Sequence, residues 1–498
     1  MADGIRTRDH RDHNPGLYQL SYRHRAKTQD TAGYARAVDG VRHTRYGWWL
    51  EEAGPVDPAP PLEGDTSADV VVVGGGYLGL WTAWQLKALE PACDVVVLEA
   101  GLAGHGPSGR NGGFVSTLWD DLPILRDRVG DARALEVVRA SERGVHGIGA
   151  WCEQQGVDAW YLPAPTLVVA TSEAQLGSSD DAIEACAALG VPDEVRPIGP
   201  AELRERCDAG FLGGAFLRTS ATVQPARLSL GLRSKIIEAG VRLHERTPVS
   251  RLTPAAAAVT PGGRVRTGAA VLAVNSATAG FPGFRLAHAV ASSHMVITEP
   301  VPDVIERLQW TGGEPIADGR TLLHYLRTTR DGRIAFGWGG GRMGFGARRR
   351  GCLEVDPDAA RTARDDLIRF FPQLRGRRIT HAWGGPIDVS PTHLPIFGSR
   401  GRVHHGFGFT GNGVGPAYVG GEILARLALD RRDELTRLAL VDPSRKLMPP
   451  EPLRWAGGSL IRSALVRSDR AEDAGRAADP ATRLVAGLPR RLGLRLPR

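Results

Sequence analysis

The stretch that decides the fold runs from Asp69 to Glu99 and reads DVVVVGGGYLGLWTAWQLKALEPACDVVVLE. Its four consecutive valines, residues 70–73, predict a strand buried on both faces, because β-branched residues suit a pleated surface and a parallel strand need not alternate. Leu78 to Leu89 predicts a helix, and Asp94 to Leu98 predicts a second strand. The segment therefore predicts the βαβ unit of a doubly wound α/β fold.

Three glycines join the first strand to the helix. Gly74, Gly76 and Gly79 have the G-x-G-x-x-G spacing, which allows a tight turn, a close approach of the backbone to a pyrophosphate and tight helix–strand packing. Glu99, twenty residues beyond Gly79, ends the second strand, where a carboxylate can bind both ribose hydroxyls. Such glycine patterns also occur in ordinary turns, but the complete order of strand, glycines, helix, strand and acid predicts a dinucleotide site. The acid favours FAD or NAD over NADP.

The composition is that of an ordinary globular protein. The 498 residues are 42% hydrophobic and 23% charged, which is enough for two or more domains with sizeable cores. Five cysteines without C-x-x-C spacing suggest neither a zinc ribbon nor a redox-active dithiol, and we expect no metal site. The apolar runs are too rich in glycine and polar residues for a transmembrane segment, and the N-terminus has no apolar secretory core. We therefore expect a cytoplasmic protein.

The positive charge is concentrated in one part of the chain. The net charge is +7, and residues 441–498 contain twelve Lys and Arg against six Asp and Glu. The rest of the chain is near neutral and lacks interleaved basic and aromatic residues, so we predict no nucleic-acid partner. We interpret residues 436–498 as a solvated basic extension, with a polyanion or membrane-surface role as the alternative.

Two further glycine clusters predict contact with a ligand. Gly101 to Gly113 follows the ribose-binding strand directly, which favours a cofactor loop over a surface linker. Gly406 to Gly415 precedes a predicted helix, Pro416 to Leu429, whose N-terminus a ligand could approach. A tight structural turn is the alternative for this second cluster.

The remaining elements predict a return to the first sheet and then a second sheet. A helix is predicted from Gln224 to Gly240, with Pro near its start and Gly at its end. Other helices are predicted at 131–155 and 172–189, and strands at 160–162, 166–170, 241–244, 249–252, 256–259, 264–266, 269–274, 289–298, 321–328 and 333–338. We expect the backbone of Val249, in a strand next to the first βαβ unit, to contact the adenine.

These segments together resemble the D-amino-acid oxidase (DAO) type of FAD-dependent amine and amino-acid oxidoreductase, in particular the γ-glutamylputrescine oxidase-like branch. The resemblance covers residues 46 to 430 and rests on five motifs, which are ADVVVVGGGYLGL (68–80), PSGRNGGFV (107–115), HYLRTTRDGRIAFG (324–337), AWGGPIDVSPTHLPIFG (382–398) and GFTGNGVGP (408–416). It implies a Rossmann-like FAD-binding domain with an interleaved antiparallel-sheet substrate domain. It also implies FAD as the cofactor.

The resemblance implies roles for individual residues. Around the adenosine and pyrophosphate it implies Gly74, Gly76, Tyr77, Leu78, Gly79, Glu99, Ala100 and Val249. Along the isoalloxazine it implies Ser108, Arg110, Asn111, Gly112 and Gly113, with Arg110 and Asn111 near the reactive face, and at the flavin N1 and C2 carbonyl it implies Gly411, Asn412, Gly413 and Val414. We expect the FAD to be noncovalent, because the chain has Arg110 where some relatives have a linking histidine and no cysteine at 324–327. His105, five residues earlier, is a less favoured covalent site.

The resemblance also implies domain bounds. The FAD-binding domain would consist of residues 66–120, 215–280 and 381–435, and the substrate domain of residues 121–214 and 281–380. Residues 1–65 would form an N-terminal arm, disordered over about the first thirty residues, with Trp48 and Trp49 packed on the body.

The expected reaction is oxidation of an amine or amino acid by hydride transfer to flavin N5, hydrolysis of the imine, and reoxidation by O2 or another acceptor. The residues expected on the substrate side are His324, Tyr325, His294 and Asn412. For each histidine the alternative is a structural residue whose ring nitrogens are hydrogen-bonded within the protein. The competing functions are a flavin dehydrogenase or hydroxy-acid oxidase on the same scaffold, and a non-catalytic flavin-binding interaction protein.

Overall fold

The computed structural model describes residues 36–38, 40–443 and 446–491. Within them the first βαβ unit is confirmed, as strand Thr66–Val73, helix Tyr77–Leu89 and strand Val95–Leu98. Residues 70–73 are at most 3% exposed, which explains why four apolar side chains can follow one another in one strand.

This unit belongs to a mixed sheet. Its parallel core places Thr66–Val73 between Val95–Leu98 and Gly263–Leu272. In spatial order its strands are Arg242–His244, Val95–Leu98, Thr66–Val73, Gly263–Leu272, Ala258–Thr260 and Arg251–Leu252, with Val403–Phe407 also beside Gly263–Leu272 and Ile396–Arg400 beside Val403–Phe407. Helices Pro225–Glu238 and Val414–Ala428 pack against helix Tyr77–Leu89. The Gln224 side chain caps the first of these helices by accepting from the Arg227 N–H, at 2.9 Å.

A second, larger sheet is mostly antiparallel. In spatial order its strands are Arg36–Val38, Val41–His43, Ile379–Val389, Ala289–Thr298, Ile334–Trp338, His324–Thr328, Ile316–Asp318, Thr166–Val169, Gly214–Leu217 and Val195–Ile198, with Met343–Gly344 paired to Ala289–Thr298. A small third sheet contains Phe114–Ser116, Ser220–Thr222 and Leu162–Pro163. The α/β class with an added antiparallel sheet is thereby confirmed. We propose that the division into a cofactor domain and a substrate domain follows the two large sheets.

The remaining described α-helices surround these sheets. They are Gly47–Ala53, Leu122–Val129, Asp131–Gln155, Asp180–Ala188, Pro200–Arg206, Pro302–Arg307, Pro357–Phe370, Leu453–Asp473, Pro480–Ala486 and Leu488–Arg491. Trp48 and Trp49 are 6% and 0% exposed, so the packing predicted for them is confirmed. No helix in the described ranges is both long and apolar enough to cross a bilayer. The start of the predicted N-terminal arm, residues 1–35, lies outside the described residues.

Several predicted boundaries are wrong. The strand Ile379–Val389 pairs with Ala289–Thr298 along its whole length, so the boundary placed at 381 cuts through a strand of the large sheet. The two strands predicted at 264–266 and 269–274 are one strand, Gly263–Leu272, in which Gly268 does not interrupt pairing. The strands predicted near 162 and 166 do not pair with each other, because Leu162–Pro163 belongs to the small third sheet and Thr166–Val169 to the large one.

The predicted basic extension is solvated on only one side over its described part. Helix Leu453–Asp473 packs on the body, and its Arg454 and Asp469 side chains are buried. Arg454 donates to the carbonyls of Arg285 (2.7 Å) and His288 (3.0 Å). The charge pattern could not reveal this, because the carbonyls that bind Arg454 belong to residues distant in sequence.

Candidate functional site

The turn after the first strand is built for close approach. Gly74 has a φ of +112°, and a Cβ there would lie 2.3 Å from the Ala273 carbonyl oxygen. A Cβ on Gly79 would lie 1.9 Å from the Gly74 carbonyl oxygen, so both positions exclude any larger residue. Gly76 precedes helix Tyr77–Leu89 and offers no side chain to cap it. The positive end of this helix is therefore open to a phosphate.

Ser108 brings the second glycine cluster to the same helix. Its Oγ accepts from the Tyr77 N–H at 2.8 Å. A Cβ on Gly76 would lie 3.0 Å from that Oγ. The predicted cofactor loop and the predicted pyrophosphate turn thus meet in space, which sequence order alone could not establish.

Glu99 lies at the end of its strand, as the sequence predicts. Its two carboxylate oxygens accept from the N–H groups of Gly75 (2.8 Å) and Gly101 (2.7 Å). Burial raises the pKa of this carboxyl, and the two N–H donors oppose that effect. Ala100 follows it at the surface, and Val249 is half-buried just before strand Arg251–Leu252. Both of these side chains are compatible with an adenosine site but do not test it.

The centre of the glycine loop is held by its own polar side chains. Asn111 donates to the carbonyls of Pro107 (3.1 Å) and Ser108 (2.8 Å), and its Oδ1 accepts from the Gly113 N–H at 2.7 Å. The carboxamide therefore shapes the loop and has little capacity left for a ligand.

Arg110 is bound by groups from other parts of the chain. Its Nη1 donates to the carbonyls of Arg45 (2.7 Å) and Gly384 (3.3 Å) and lies 3.6 Å from a carboxylate oxygen of Glu354. Burial lowers the pKa of this guanidinium, and Glu354 opposes that effect. The Arg110 guanidinium therefore ties the glycine loop to the large sheet, and its place near the reactive face of the flavin stays a prediction.

A buried carboxylate holds the third glycine cluster. The Oδ2 of Asp388 accepts from the Gly408 N–H at 2.5 Å, and its Oδ1 accepts from Asn275 Nδ2 at 2.8 Å. Burial raises the pKa of Asp388 to about 7. A role for Asp388 was not predicted from the sequence, although the residue lies in the motif at 382–398. Its position one residue before the end of a strand was the available signal.

The turn held by Asp388 leads to a helix start without a side-chain cap. Gly411 has a φ of +93° and is exposed, and Gly413 precedes helix Val414–Ala428. Asn412 donates from Nδ2 to the Thr117 carbonyl at 3.1 Å. A Cβ on Gly415 would lie 2.4 Å from the Ser116 carbonyl oxygen, so the helix start is pressed against strand Phe114–Ser116. One N–H of the Asn412 carboxamide is thus engaged with the backbone, and its place on the substrate side stays a prediction.

Tyr325 faces the glycine loop. A Cβ on Gly112 would lie 2.9 Å from the Tyr325 ring, and a Cβ on Gly337 would lie 2.0 Å from it. The two glycines therefore form a slot that holds the ring. Its hydroxyl is 2.7 Å from Ser293 Oγ. Burial raises the pKa of Tyr325 to about 12, so the phenol is neutral near pH 7. This face therefore presents an uncharged hydroxyl pair.

His324 and His294 lie on the opposite face of the sheet from Tyr325, so these three substrate-side candidates do not line one site together. Residues that pair across neighbouring strands point to the same face of a sheet, and His294 and His324 both pair with Trp338. Tyr325 pairs with Gly337, the preceding residue, and therefore points to the other face. His324 is fully buried between Asp318, 2.8 Å from Nδ1, and Asp366, 3.1 Å from Nε2. Burial opposes protonation of His324, but the two carboxylates prevail and raise its pKa.

His294 is likewise structural. Its Nε2 lies 3.1 Å from Ser292 Oγ, and its ring covers Gly384, where a Cβ would be 2.3 Å from Nδ1. Burial lowers the pKa of His294 to about 4, which keeps it neutral. Strand alternation was the signal that could have separated the two histidines from Tyr325.

Arg327 shares the face of Tyr325 and was also missed. Its Nη1 donates to the carbonyls of Val223 (2.6 Å) and Gly113 (3.3 Å). Burial lowers the pKa of the guanidinium to about 9. Arg327 therefore anchors the end of the glycine loop to the large sheet.

These residues fit a dinucleotide. The glycines at 74 and 79 cannot carry a Cβ, the residues that precede two helices are glycines without a capping side chain, and Glu99 follows the second strand. The arrangement offers a pyrophosphate site at one helix and a second anion-favouring helix start near the Tyr325 face.

Comparisons with known proteins agree with this geometry. The profile of the DAO family, described as FAD dependent oxidoreductase, matches residues 69–427. The chain is 28% identical over 391 residues to the gamma-glutamylputrescine oxidoreductase of Escherichia coli (strain K12), covering 76% of this chain and 88% of that protein. It is 26% identical over 433 residues to the probable oxidoreductase OrdL of Rhizobium meliloti, covering 84% and 94%. L-proline dehydrogenase from P. horikoshii superposes with a TM-score of 0.60 at 21% identity, covering 75% of this chain and 96% of that one. Because the family profile spans most of its length, the chain belongs to the DAO family of FAD-dependent oxidoreductases.

Proposed function

We propose that this oxidoreductase oxidises an amine whose reacting carbon carries no carboxylate, by hydride transfer to noncovalently bound FAD. Bound FAD supplies the hydride acceptor at N5, and O2 or another acceptor reoxidises it. The observation that carries the proposal is the uncharged hydroxyl pair of Tyr325 and Ser293, which lies against the glycine loop at Gly112, while Arg327, a cation on the same face, is bound to backbone carbonyls.

The chain's own residues account for cofactor binding. The N–H groups at the start of helix Tyr77–Leu89 would bind the pyrophosphate, and Glu99 would bind the ribose. The start of helix Val414–Ala428 would face N1 and the C2 carbonyl, where reduction places negative charge. A fixed helix terminus stabilises such developing charge more than the neutral ground state. The turn at Gly408 is the part of this arrangement that Asp388 positions.

The proposed substrate class depends on which cationic side chains near the site already bind other groups of the protein. Arg327 donates to two backbone carbonyls, and Arg110 lies against Glu354. A substrate carboxylate beside the reacting carbon would need a free guanidinium or ammonium in compensation. A neutral amine needs only alignment and exclusion of water, which Tyr325 and its neighbours can provide. The name of the Escherichia coli relative, gamma-glutamylputrescine oxidoreductase, supports an amine of this kind.

Anaerobic bleaching of the bound flavin tests this proposal. We expect γ-glutamylputrescine or another monoacylated diamine to bleach the flavin, and glycine, L-proline and 2-hydroxy acids to leave it oxidised. Bleaching by 2-hydroxy acids alone would establish the hydroxy-acid alternative. A flavin that none of these compounds reduces would favour the non-catalytic alternative.

Cofactor binding is tested separately. Gly76→Val places a branched side chain against Ser108 Oγ, so we expect the purified variant to lack FAD. Precipitation of wild-type protein with acid should release the flavin into the supernatant. Flavin that stays with the pellet would contradict noncovalent binding, and full occupancy in Gly76→Val would contradict the pyrophosphate site.

A further inference from the structure

The outer surface of residues 446–491 concentrates exposed apolar side chains. Ten large apolar side chains of the described residues are at least 41% exposed, and five of them lie in this short part of the chain. These five are Leu447 (62%), Leu453 (67%), Trp455 (42%), Leu460 (52%) and Leu484 (52%). A sixth, Phe345, packs its ring 6.1 Å from that of Trp455. A cluster of this kind marks an interaction surface, since single exposed leucines are common but grouped ones are not.

The inner surface of the same segment is firmly attached to the body. Arg462 donates from Nε to the Gly340 carbonyl at 2.9 Å, and Asp473 forms an ion pair with Arg320. The Met448 N–H donates to the Leu286 carbonyl at 2.8 Å. The exposed leucines are therefore presented by a fixed scaffold.

Exposed arginines accompany the leucines. Leu453, Leu460 and Arg467 are spaced seven residues apart on helix Leu453–Asp473 and so lie along one side of it. Helix Pro480–Ala486, which packs against that helix, contributes Leu484 and Arg483. Within the described residues, no ion pair joins Arg467, Arg470, Arg476, Arg483 or Arg491 to an acid. We name Leu453, Leu460, Leu484, Arg467 and Arg483 the basic apolar face.

The sequence continues this composition. Residues 483–498 contain five arginines and five leucines and no acidic residue. Leucines interleaved with arginines suit the boundary between acyl chains and anionic headgroups, where apolar burial and charge attraction act together. A nucleic acid would instead favour stacked aromatic rings between the basic residues.

We infer that the basic apolar face docks this oxidoreductase onto the surface of an anionic lipid bilayer. The leucines enter the headgroup region, and the arginines contact lipid phosphates. The attachment is peripheral, and it is independent of which amine the enzyme oxidises.

Vesicle co-sedimentation of the full-length holoenzyme tests the inference. We expect binding to vesicles of phosphatidylcholine mixed with phosphatidylglycerol, little binding to phosphatidylcholine alone, and release at high salt. Arg467→Gln with Arg483→Gln should weaken binding by about 25-fold, because each arginine near an anionic surface contributes about fivefold. Leu453→Ser with Leu460→Ser and Leu484→Ser should weaken it by roughly tenfold or more.

Matched controls use exposed residues elsewhere. Leu176→Ser with Leu212→Ser and Ile237→Ser removes three side chains that are 50%, 41% and 41% exposed, and should leave vesicle binding unchanged. Wild-type flavin content and thermal unfolding in every variant would show that folding is intact. The inference is overturned if the holoenzyme does not sediment with anionic vesicles, or if the face and control variants bind equally. It is also overturned if light scattering shows that a second copy of the chain covers this face.

Discussion

The two faces of the large antiparallel sheet differ in how their polar groups are satisfied. On one face, Tyr325 and Ser293 form an uncharged pair next to the glycine loop. On the other face, His324 lies between Asp318 and Asp366, and Arg320 pairs with Asp318 and Asp473. Tyr325 and His324 are neighbours in sequence, yet one faces the proposed site and the other is enclosed in an ionic cluster.

This difference shows why residue type is a poor guide to catalysis. A histidine is the side chain most often suspected of proton transfer, but both ring nitrogens of His324 are already bonded to carboxylates. Hydride transfer to a flavin requires alignment more than a general base. The face that carries the uncharged Tyr325–Ser293 pair is therefore the one suited to the proposed reaction, and the ionic cluster on the other face secures the strand that carries Tyr325.

Removing one member of the ionic cluster should have the largest effect on stability. Asp318→Ala leaves His324 and Arg320 without a fully buried carboxylate, and we expect the free energy of unfolding to fall by about 3–5 kcal/mol. Urea unfolding measures this change. Asp358→Ala is the control, because its side chain is 71% exposed and should change stability by less than about 1 kcal/mol. Equal effects of the two variants would contradict the buried cluster.

Filling the slot of Tyr325 should impair the reaction more than the fold. A Cβ in Gly337→Ala would lie 2.0 Å from the Tyr325 ring and displace it. We expect kcat/KM for the amine identified by bleaching to fall by about 100-fold, since small misplacements at a reacting centre have effects of this size. Gly339→Ala is the control, because its nearest atom would be 3.5 Å away. A fully active Gly337→Ala enzyme would show that Tyr325 does not line the site.

Loss of the Tyr325 hydroxyl should have a smaller effect. Tyr325→Phe removes the contact with Ser293 Oγ at 2.7 Å but keeps the ring in its slot. We expect the rate constant of flavin reduction to fall by roughly fivefold, which corresponds to one hydrogen bond of about 1 kcal/mol. Stopped-flow absorbance under anaerobic conditions measures this rate. A loss of several thousandfold would instead assign proton transfer to the phenol.

The smallest effect should be a change in pH dependence at His324. Its folded-state pKa is raised, so its contribution to stability is complete below the unfolded value of about 6.5 and is lost as the pH rises through the folded value. His324→Gln should flatten this part of the profile and change flavin reduction less than about threefold. Unfolding free energies measured between mildly acidic and alkaline pH test the first expectation. Unchanged stability together with abolished flavin reduction would restore His324 as a catalytic candidate.

Much of the cofactor site could be predicted from sequence because its determinants are local. The four valines, the spacing of Gly74, Gly76 and Gly79, and the acid at 99 all lie within one βαβ unit, and the structure follows them closely. Backbone sterics are the reason, since a φ of +112° at Gly74 admits almost no other residue. The helix starts at Tyr77 and Val414 were predicted to within a residue or two for the same reason.

Tertiary structure decided the substrate side and the partners of charged groups. Whether His324 or Tyr325 faces the glycine loop depends on strand register, and a shift of one residue would exchange them. The roles of Asp388, Arg110 and Arg327 depend on carbonyls and N–H groups far away in sequence, so their residue types did not reveal them. From the sequence alone a dinucleotide site could be predicted at the turn of residues 74–79, because glycine geometry is encoded locally, and the position of the phosphates there stays a prediction. Only the packed sheets decided which side chains surround the reacting centre, because burial and long-range hydrogen bonds exist only in the folded chain.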